Sequence, residues 1–578
     1  MSFMSKKYFS MLLGGTLSMV VSSVLLMSDS IVAGLVIGET GVAGITLVTP
    51  LYSAAIFCGS VFAFGIPILY SAETGRFGQQ EADRVFGFGI LMSALIGAAL
   101  FAAFCLLGIP YLNSCNPSPA VFAQAKDYLF WMRIAMFLLP WNLLLSGMVY
   151  ADGDEQITAL ANTAQGIGNI AASLILGRRM GISGISLASF LFTVVSLGIL
   201  ALHLLRKNNS LRPNLYFSFS LMKRVFRCSI IDAGAYLTLA VFTAVMNAYI
   251  TARFGADCLI LVSAAVLCRE FQLVFDGIGE AITPILGVYL AEDCFPGVRA
   301  VYRLARKTAI AEGIAAAVFL FLLAPAVPDI LGISDPTIGQ AAVTGIRILS
   351  VGSPFVSLLY LYPSYVLLLD RIRLGLRISM VRDLLLPAPF AVLGGLLFGV
   401  NGVFAGLMLA SVLAWFGSMG FLRLRYADDA PLLLGARGQN RECLLYDLTV
   451  EPYSVQRVRD EISEALEARS YDHSTVFRVM LLFEELFMLI AEKNGKKEIE
   501  GECSLLLQED KIRMITRDTG VIFDPTDDDM AVTSLGSHVL LSIAEQISDE
   551  KRYLMTMSFN RTAFEIRAGR KKEAASAE

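Results

Sequence analysis

One carboxylate stands out because of the sequence around it. Asp29 is the only charged residue between Tyr8 and Gly38, an apolar stretch long enough to cross a bilayer. A charge in hydrocarbon is costly to bury, so it normally faces a cavity or a partner and marks an ion or substrate pathway. Such a carboxylate can hold a sodium ion or exchange a proton. The alternative is a structural role, in which Asp29 caps a bent helix beside Ser28 and Ser30.

A second group of charges lies within the apolar segment at residues 258–290. Arg269, Asp276 and Glu280 are spaced by seven and four residues, which predicts one face of a single helix, and Glu270 lies about a quarter-turn away. Four charges in an apolar segment predict a face directed to the protein interior. They could attract a cationic substrate or carry a proton. Equally, they could form a neutralising network, although Arg269 offsets only one acid.

The elements that carry these residues occur twice in the chain. Residues of the first half recur in the second at a shift of about 218 positions, which indicates an internal repeat. The recurring residues are Arg133 and Arg347, Pro140 and Pro354, Gly181 and Gly399, Gly184 and Gly402, and Pro67 and Pro284. Asp29 has Asn247 as its counterpart, so the two halves differ in charge.

Hydrophobic segments define the fold class. The sequence has twelve of them, near residues 9–36, 44–72, 87–108, 128–150, 157–177, 182–204, 228–252, 258–290, 308–326, 341–368, 379–399 and 401–422. Six per half return the chain to the side on which it started, so the halves have the same orientation. We expect an all-α membrane protein of twelve transmembrane helices in two parallel six-helix repeats, residues 1–210 and 211–425.

Basic loop residues predict the orientation in the membrane. Lysines and arginines concentrate at residues 206–227, 299–307 and 371–377, on the same side as Lys6 and Lys7. The positive-inside rule therefore places both termini in the cytoplasm of a multi-pass protein of the plasma membrane, in bacteria the inner membrane.

Overall composition excludes several classes of protein. The chain is 56% hydrophobic and 17% charged, with a net charge of −4, which does not fit a nucleic-acid-binding protein. Its nine cysteines are scattered without C-x-x-C spacing, so we expect neither disulfides nor a metal site.

The last part of the chain is polar and differs from the rest. Residues 426–442 have the composition of a linker, residues 443–570 that of a separate domain, and residues 571–578 that of a polar tail. We expect strands at 443–449, 502–508, 511–517, 553–558 and 562–567, with helices at 454–468, 474–493 and 537–547. This order of elements predicts a small cytoplasmic α/β sandwich.

Residues 1 to about 425 resemble the multidrug and toxic compound extrusion (MATE) family of the MOP superfamily. The likeness rests on the ordered set Asp29, Gly34, Gly38, Ala43, Pro50, Gly65 and Gly75, on Ala151 to Asp154, on Gly181 and Gly184, and on the duplication. It implies an antiporter, not an enzyme, that exports organic and often cationic compounds against an inward flow of sodium ions or protons.

The same resemblance implies an ion-coupling site around Asp29. Many relatives carry a second carboxylate after an asparagine on the fifth helix. Here Asn169 is retained, but Ser173 stands where that acid would be. Asp29 would then bind the ion with Asn169 and hydroxyl groups, or coupling has moved elsewhere.

Residues 443–568 resemble the GHKL class of ATP-binding domains, most closely the small anti-sigma-factor serine kinases. The likeness rests on Phe483 to Leu486, on Arg517 to Pro525, on Gly536 and on Asn560. It implies that Asp518 binds the adenine amino group, that Gly520 allows close approach of the base, and that Glu485 is a general base. Phe523 belongs to the same nucleotide-binding motif.

Two departures from the GHKL pattern argue against phosphotransfer. Leu489 stands where an asparagine would ligate magnesium, and Gly536 is alone where two glycines are usual. We therefore expect a nucleotide sensor, with ATP as its ligand, or a module that docks a cytoplasmic protein, and no kinase activity.

Three functions are compatible with the sequence. The first is an antiporter for small molecules with a regulatory cytoplasmic domain, which requires no cofactor beyond its coupling ion. The second is a flippase for lipid-linked oligosaccharides, which a strongly basic cavity would favour and the acids of segment 258–290 disfavour. The third is a membrane-anchored sensor whose tail binds a nucleotide or sequesters a soluble partner.

Overall fold

The membrane part of the protein is a bundle of long helices. The computed structural model describes residues 3–75, 79–152, 154–206, 209, 211–369, 371–426, 432–434, 442–495, 498–508, 510–521, 546–548 and 560–570. The helices of the first half are α1 (Phe3–Val36), α2 (Glu39–Gly75), α3 (Gln79–Ser114), α4 (Pro119–Ala151), α5 (Glu155–Met180) and α6 (Ile182–Leu204).

The second half follows the same plan with more interruptions. Its helices are α7 (Phe219–Phe254), α8 (Ile260–Phe271), α9 (Asp276–Ala291), α10 (Phe295–Leu323), α11 (Val327–Leu331), α12 (Pro336–Leu368), α13 (Ile372–Met380) and α14 (Pro387–Tyr426). A 3₁₀ turn, Gln272–Phe275, separates α8 from α9, and a π-helical turn, Val381–Leu385, follows α13. The segment predicted at 258–290 is thus one helical stretch, Asp257–Leu290, with a 3₁₀ turn in its middle.

Two glycines adopt the same backbone conformation at equivalent points of the two halves. Gly181, between α5 and α6, has φ 64° and ψ −146°, and Gly399, at a kink within α14, has φ 67° and ψ −153°. Only glycine adopts these angles without strain. Gly184 and Gly402 then allow close helix packing, because a Cβ at either position would collide with a backbone carbonyl. The internal repeat predicted from the sequence is thus matched by a repeated backbone conformation at equivalent residues.

Helix length and surface composition fit a lipid environment. Within the described ranges, nine helical stretches are long and apolar enough to cross a membrane. The last of them, Ile372–Tyr426, comprises α13, the π-helical turn and α14 with its kink at Gly399. In α1, the stretch Met27–Val36 is apolar but shorter than a full membrane span. Large apolar side chains are exposed on the outside of the bundle, for example Leu106, Phe130, Ile167, Leu322 and Leu397.

Helix α1 contacts both halves of the protein. Its Asp29 region bonds to α4, α5 and α6 of the first half. Its beginning packs against α9 and α10, where Tyr8 shares a buried apolar cluster with Ile282 and Val301. Gly277 makes this packing possible, since a Cβ there would lie 2.6 Å from the Thr16 nitrogen. Small residues at helix contacts are typical of membrane bundles.

The C-terminal domain combines two helices with one sheet. Its elements are β1 (Glu442–Thr449), α15 (Pro452–Glu467), α16 (His473–Asn494), β2 (Glu500–Leu507), β3 (Lys511–Asp518), β4 (Gln546–Ser548) and β5 (Asn560–Arg567). The strands are antiparallel in the order β1-β2-β3-β5-β4. Both helices pack on one face of the sheet, through Ile462, Phe483, Leu505 and Phe564 among others.

Most predicted elements of this domain lie within two residues of the observed ones. The predicted helix at 537–547 is wrong at its end, where Gln546 and Ile547 belong to β4. Residues 522–545 and 549–559 lie outside the described residues, and with them the predicted strand at 553–558.

The close contact between α1 and α9 predicts that one added methyl group at Gly277 lowers the stability of the protein. Gly277→Ala forces the backbones apart, and overpacking of this kind costs about 1–3 kcal/mol. Thermal unfolding of the purified protein should show a lower midpoint for this variant. Gly198→Ala in α6 is the matched control, because nothing lies within 4 Å of its new Cβ. Equal midpoints for the two variants would contradict the close α1–α9 contact.

Candidate functional site

The Asp29 carboxylate is enclosed by hydrogen-bond donors from three other helices. Tyr128 of α4 donates its hydroxyl to Oδ2 at 2.7 Å, and Ser189 of α6 donates to the same oxygen at 3.0 Å. The Asn169 amide of α5 donates to Oδ1 at 3.2 Å. Hydrogen bonds to a charged acceptor are stronger than neutral ones, so this shell holds the carboxylate in place.

A second layer of bonds orients Asn169. Its side-chain oxygen accepts a bond from Ser173 Oγ at 3.3 Å, one helical turn further along α5. It also accepts one from Ser189 Oγ at 3.2 Å. Ser173 therefore acts on Asp29 through Asn169. We call Asp29, Tyr128, Asn169, Ser173 and Ser189 the Asp29 site.

The Asp29 site offers several oxygens to a small cation. The Asp29 carboxylate, the Asn169 carbonyl oxygen and three hydroxyl groups meet within hydrogen-bond distance of one another. Oxygen ligands of this kind suit a hard cation. The same carboxylate can take up a proton, and Tyr128 and Ser189 can then turn their hydroxyls elsewhere.

The equivalent position in the second half carries no charge. Asn247 of α7 is fully buried and donates its amide to the Thr46 carbonyl at 3.0 Å. This amide links α7 to α2 across the boundary of the two halves. The carboxylate chemistry at this repeated position is confined to the first half.

Glu270 lies at the boundary between the halves. It is buried in α8, which contacts α2 through a hydrogen bond between Thr46 and Ser263. Glu270 thus lies in the second half, on the helix that contacts α2 of the first half.

Arg269 belongs to a different cluster. Its Nη2 donates to the Asp383 carbonyl at 2.8 Å, and its guanidinium lies 4.1 Å from the centre of the Phe242 ring. Arg382 binds the Asp383 carboxylate through two bonds of 2.8 Å and stacks on Tyr360. We call Arg269, Arg382 and Asp383 the arginine cluster.

The arginine cluster differs from the predicted single charged face. Asp276 begins α9, directly after the 3₁₀ turn that follows the helix carrying Arg269, so the two residues are not spaced along one regular α-helix. Glu280 belongs to α9, and the structure does not describe the position of its side chain. Arg269 pairs with Asp383, an acid of its own half.

Sequence reasoning missed Arg382 and Asp383, although the signal was present. Both lie inside the apolar segment 379–399. The π-helical turn Val381–Leu385 carries them, and such turns are frequent at functional sites. Together with Arg269 they line a partly open cavity. Its other walls include Ala265, Gln272, Leu349, Tyr360, Leu407 and Ser411.

A buried histidine links two carboxylates at one end of the first half. His203 Nε2 lies 2.7 Å from Asp152 Oδ2, and His203 Nδ1 lies 2.9 Å from Asp154 Oδ2. Arg206 donates to the same Asp154 oxygen at 2.8 Å. Each ring nitrogen of His203 thus faces a carboxylate oxygen. This cluster ties α6 to the turn between α4 and α5.

Two of the residues predicted to bind a nucleotide, Asp518 and Gly520, are in contact in one turn of the C-terminal domain. The Asp518 carboxylate accepts a bond from the Gly520 nitrogen at 2.8 Å, and Asn494 of α16 accepts one from the Val521 nitrogen at 2.8 Å. Leu489 is buried in the apolar core of the domain, while Glu485 is half-buried on the same helix. Phe523 and Gly536 lie outside the part of the chain that the structure describes.

Comparisons with known proteins place the membrane helices in a known fold. Residues 16–175 match the MatE family model. The chain is similar to a multidrug resistance MATE family transporter of the MOP superfamily in its inward-facing conformation, with 18% identity over 72% of this chain and 96% of that one and a TM-score of 0.66. The structure is thus that of a multi-pass membrane protein with the fold of MATE transporters.

Two further solved structures share this fold. A MOP superfamily transporter from Pyrococcus furiosus, described as having a binding pocket of reverse polarity that suggests a different function, has 18% identity over 73% of this chain and 96% of that one and a TM-score of 0.60. The MATE multidrug transporter DinF-BH, solved as a complex, has 20% identity over 74% of this chain and 97% of that one, and a TM-score of 0.61. Among curated proteins, none matches the chain.

The His203 cluster predicts a pH-dependent stability. The hydrogen bond from His203 is the main reason why the pKa of Asp154 is lowered. A lowered carboxyl pKa stabilises the fold above the unfolded value of about 3.9, and this stability is lost as the pH falls through the folded-state pKa.

We expect His203→Phe to lower the unfolding midpoint at neutral pH, and the difference from the parent protein to shrink below about pH 4. Thermal unfolding across this pH range measures it. A difference that does not change with pH would rule out the His203–Asp154 bond as its cause.

Proposed function

We propose that the protein is a secondary active antiporter that exports organic, mainly cationic, compounds by alternating access in exchange for sodium ions or protons. The observation that carries this proposal is the Asp29 site, a carboxylate within a membrane helix surrounded by four oxygen-bearing side chains from α4, α5 and α6. A charged group in this setting is expected to serve an ion or substrate pathway. The MATE-like fold supports the same function.

Contacts between the halves support alternating access. The end of α1 meets the turn after α11, where the Glu39 nitrogen donates to the Gly332 carbonyl at 3.1 Å. A Cβ on Gly34 would lie 2.1 Å from the Ile330 carbonyl oxygen, so the two halves touch there directly. With twelve crossings and cytoplasmic termini, this contact closes the outer face. Transport then requires it to open while the opposite end closes.

The charge of the site limits the coupling stoichiometry. Ser173 provides a hydroxyl where many relatives carry a second acid, so Asp29 is the one carboxylate of the Asp29 site. One carboxylate balances one monovalent cation. We therefore propose one sodium ion or one proton per transport cycle, with Glu270 of α8 adding negative charge for a cationic substrate near the contact between the halves.

The C-terminal domain is proposed to regulate transport. Its Asp518 carboxylate accepts a bond from the Gly520 nitrogen in the turn that the GHKL resemblance assigns to adenine, while Leu489 packs in the core where that resemblance requires a metal ligand. This arrangement favours a domain that binds ATP or a protein partner without phosphotransfer.

Efflux from proteoliposomes tests the proposed function. Vesicles are loaded with a fluorescent organic cation and given a sodium or proton gradient in one direction or the other. They should lose dye only when the gradient is oriented so that ion movement drives export. Asp29→Asn keeps the size of the side chain and removes its charge, so we expect efflux to fall at least about tenfold. Gradient-driven efflux by Asp29→Asn at the parent rate would refute the ion site, and no efflux by either protein would refute the dye-exporter function.

Ser189 offers a finer test of the Asp29 site. Ser189→Ala removes the hydroxyl that bonds both Asp29 and Asn169, and loss of a bond to a charged group costs about 1.5–3 kcal/mol. We expect the concentration of coupling ion for half-maximal efflux to rise about tenfold or more. Ser186→Ala is the matched control one turn away, since Ser186 donates to the Ser183 carbonyl and not to Asp29. The same rise in both variants would contradict this role.

A flippase for anionic lipid-linked sugars is a second candidate, favoured by one observation. Arg269 and Arg382 both line the cavity of the second half, and Asp383 is the acid that pairs with them. Arginine suits phosphate recognition. Movement of a fluorescent lipid pyrophosphate across vesicles, lost in Arg382→Gln, would favour this function over cation export.

A further inference from the structure

The C-terminal sheet has two covered faces. One face packs on α15 and α16 through Leu448, Cys503 and Leu505. The alternate residues Cys443 and Leu506 belong to the apolar cluster of α1, α9, α10 and α12. Because successive strand residues point to opposite faces, this face of the sheet rests on the membrane helices. We call it the docking face.

Buried charges hold the docking face in place. Arg517 of β3 is fully buried and pairs with Glu292, at the end of α9, and with Glu502 of β2. Arg561 of β5 donates to the second Glu292 oxygen at 2.7 Å. Two arginines and two carboxylates balance, and Tyr289 of α9 adds a bond to Glu502. A buried pair that loses one partner is strongly destabilised, so this network favours one docked position.

The same surface also holds the beginning of α1. The Phe3 nitrogen donates to Asp447 of β1 at 3.1 Å, and Lys6 pairs with Glu500 of β2. Just beyond, Tyr8 bonds Thr308 of α10, and Thr16 donates to Glu312 of α10 at 3.1 Å. The sheet and α10 together fasten the first half of α1 to the second half of the protein.

Helix α1 connects this attachment to the ion site. It runs without a break from Phe3 to Val36, so Asp29 lies about 39 Å along the helix from the docked end. At Asp29 the helix bonds to α4, α5 and α6 of the first half. One rigid helix is thus held by the first half at the ion site and by the second half at the dock.

We infer that the docked C-terminal domain is autoinhibitory: by fixing the start of α1 to α9 and α10, it resists the relative movement of the two halves. The inference rests on the proposed transport function. Movement of the halves has to separate the start of α1 from α9 or bend α1, and the docked sheet opposes both. Release of the domain removes the contacts of Phe3 and Lys6 and lets α1 follow the first half.

A charge-reversal pair at the edge of the dock tests the inference in the full-length protein. Lys6→Glu and Glu500→Lys each replace an attraction with a repulsion at a partly exposed site, and the double variant restores the pair. A surface pair shifts an equilibrium by up to about fivefold. Each single variant should raise the efflux rate by about that factor, and the double variant should return it toward the parent value.

Cysteine labelling separates undocking from unfolding. Cys443 and Cys294 face each other in the dock with their sulfurs 3.1 Å apart, whereas Cys503 lies in the core beneath α16. In both single variants, maleimide labelling followed by mass spectrometry should increase at Cys443 and Cys294 and stay low at Cys503. Glu292→Gln is a stronger variant on the membrane side, which should show the same pattern.

The outcomes are decisive whether or not the dye is a substrate. Undocking that leaves the efflux rate unchanged or lowers it would overturn autoinhibition. If no variant moves the dye, the proposed function fails, and labelling of Cys268 in the cavity of the second half decides the inference instead. Faster Cys268 labelling in the undocked variants would support restraint of the halves by the dock, and an unchanged rate would overturn it.

Discussion

The cost of a charge in hydrocarbon governs the arrangement of this protein. Asp29 is tolerated because Tyr128, Asn169 and Ser189 all donate to it, and those donors fix how α4, α5 and α6 pack around α1. Arg269 and Arg382 satisfy the same constraint with Asp383 and aromatic rings in the second half. Each half thus has its own polar centre, one built on a carboxylate and the other on arginines.

The two centres and the C-terminal domain are joined mechanically through α1. A helix that bonds the first half near one end and the second half near the other is strained by any rotation between the halves. The dock adds a buried network of four charges to one of these attachments. Removal of a single member leaves an uncompensated buried charge, so it is expected to destabilise the docked position strongly.

Local sequence patterns revealed Asp29, the repeat and most tail elements, because hydrophobic runs and isolated charges report on burial directly. Tyr128 and Ser189 gave no such signal, since hydroxyl residues are common in membrane helices. Arg382, Asp383 and Glu312 carried the same signal as Asp29, but they lie near the ends of apolar segments beside basic loops. The dock could not be predicted, because Glu292 and Arg517 are 225 positions apart and meet only after folding.

We propose Asp29 as the ligand of the coupling ion, and ion binding to the purified protein tests this directly. Radioactive sodium binding and proton release on sodium addition should be measured for the parent protein and for Asp29→Asn. We predict about one cation or proton bound per chain in the parent protein, consistent with a single carboxylate, and none in the variant. Full binding by Asp29→Asn would contradict this role, because the ion would then be held elsewhere.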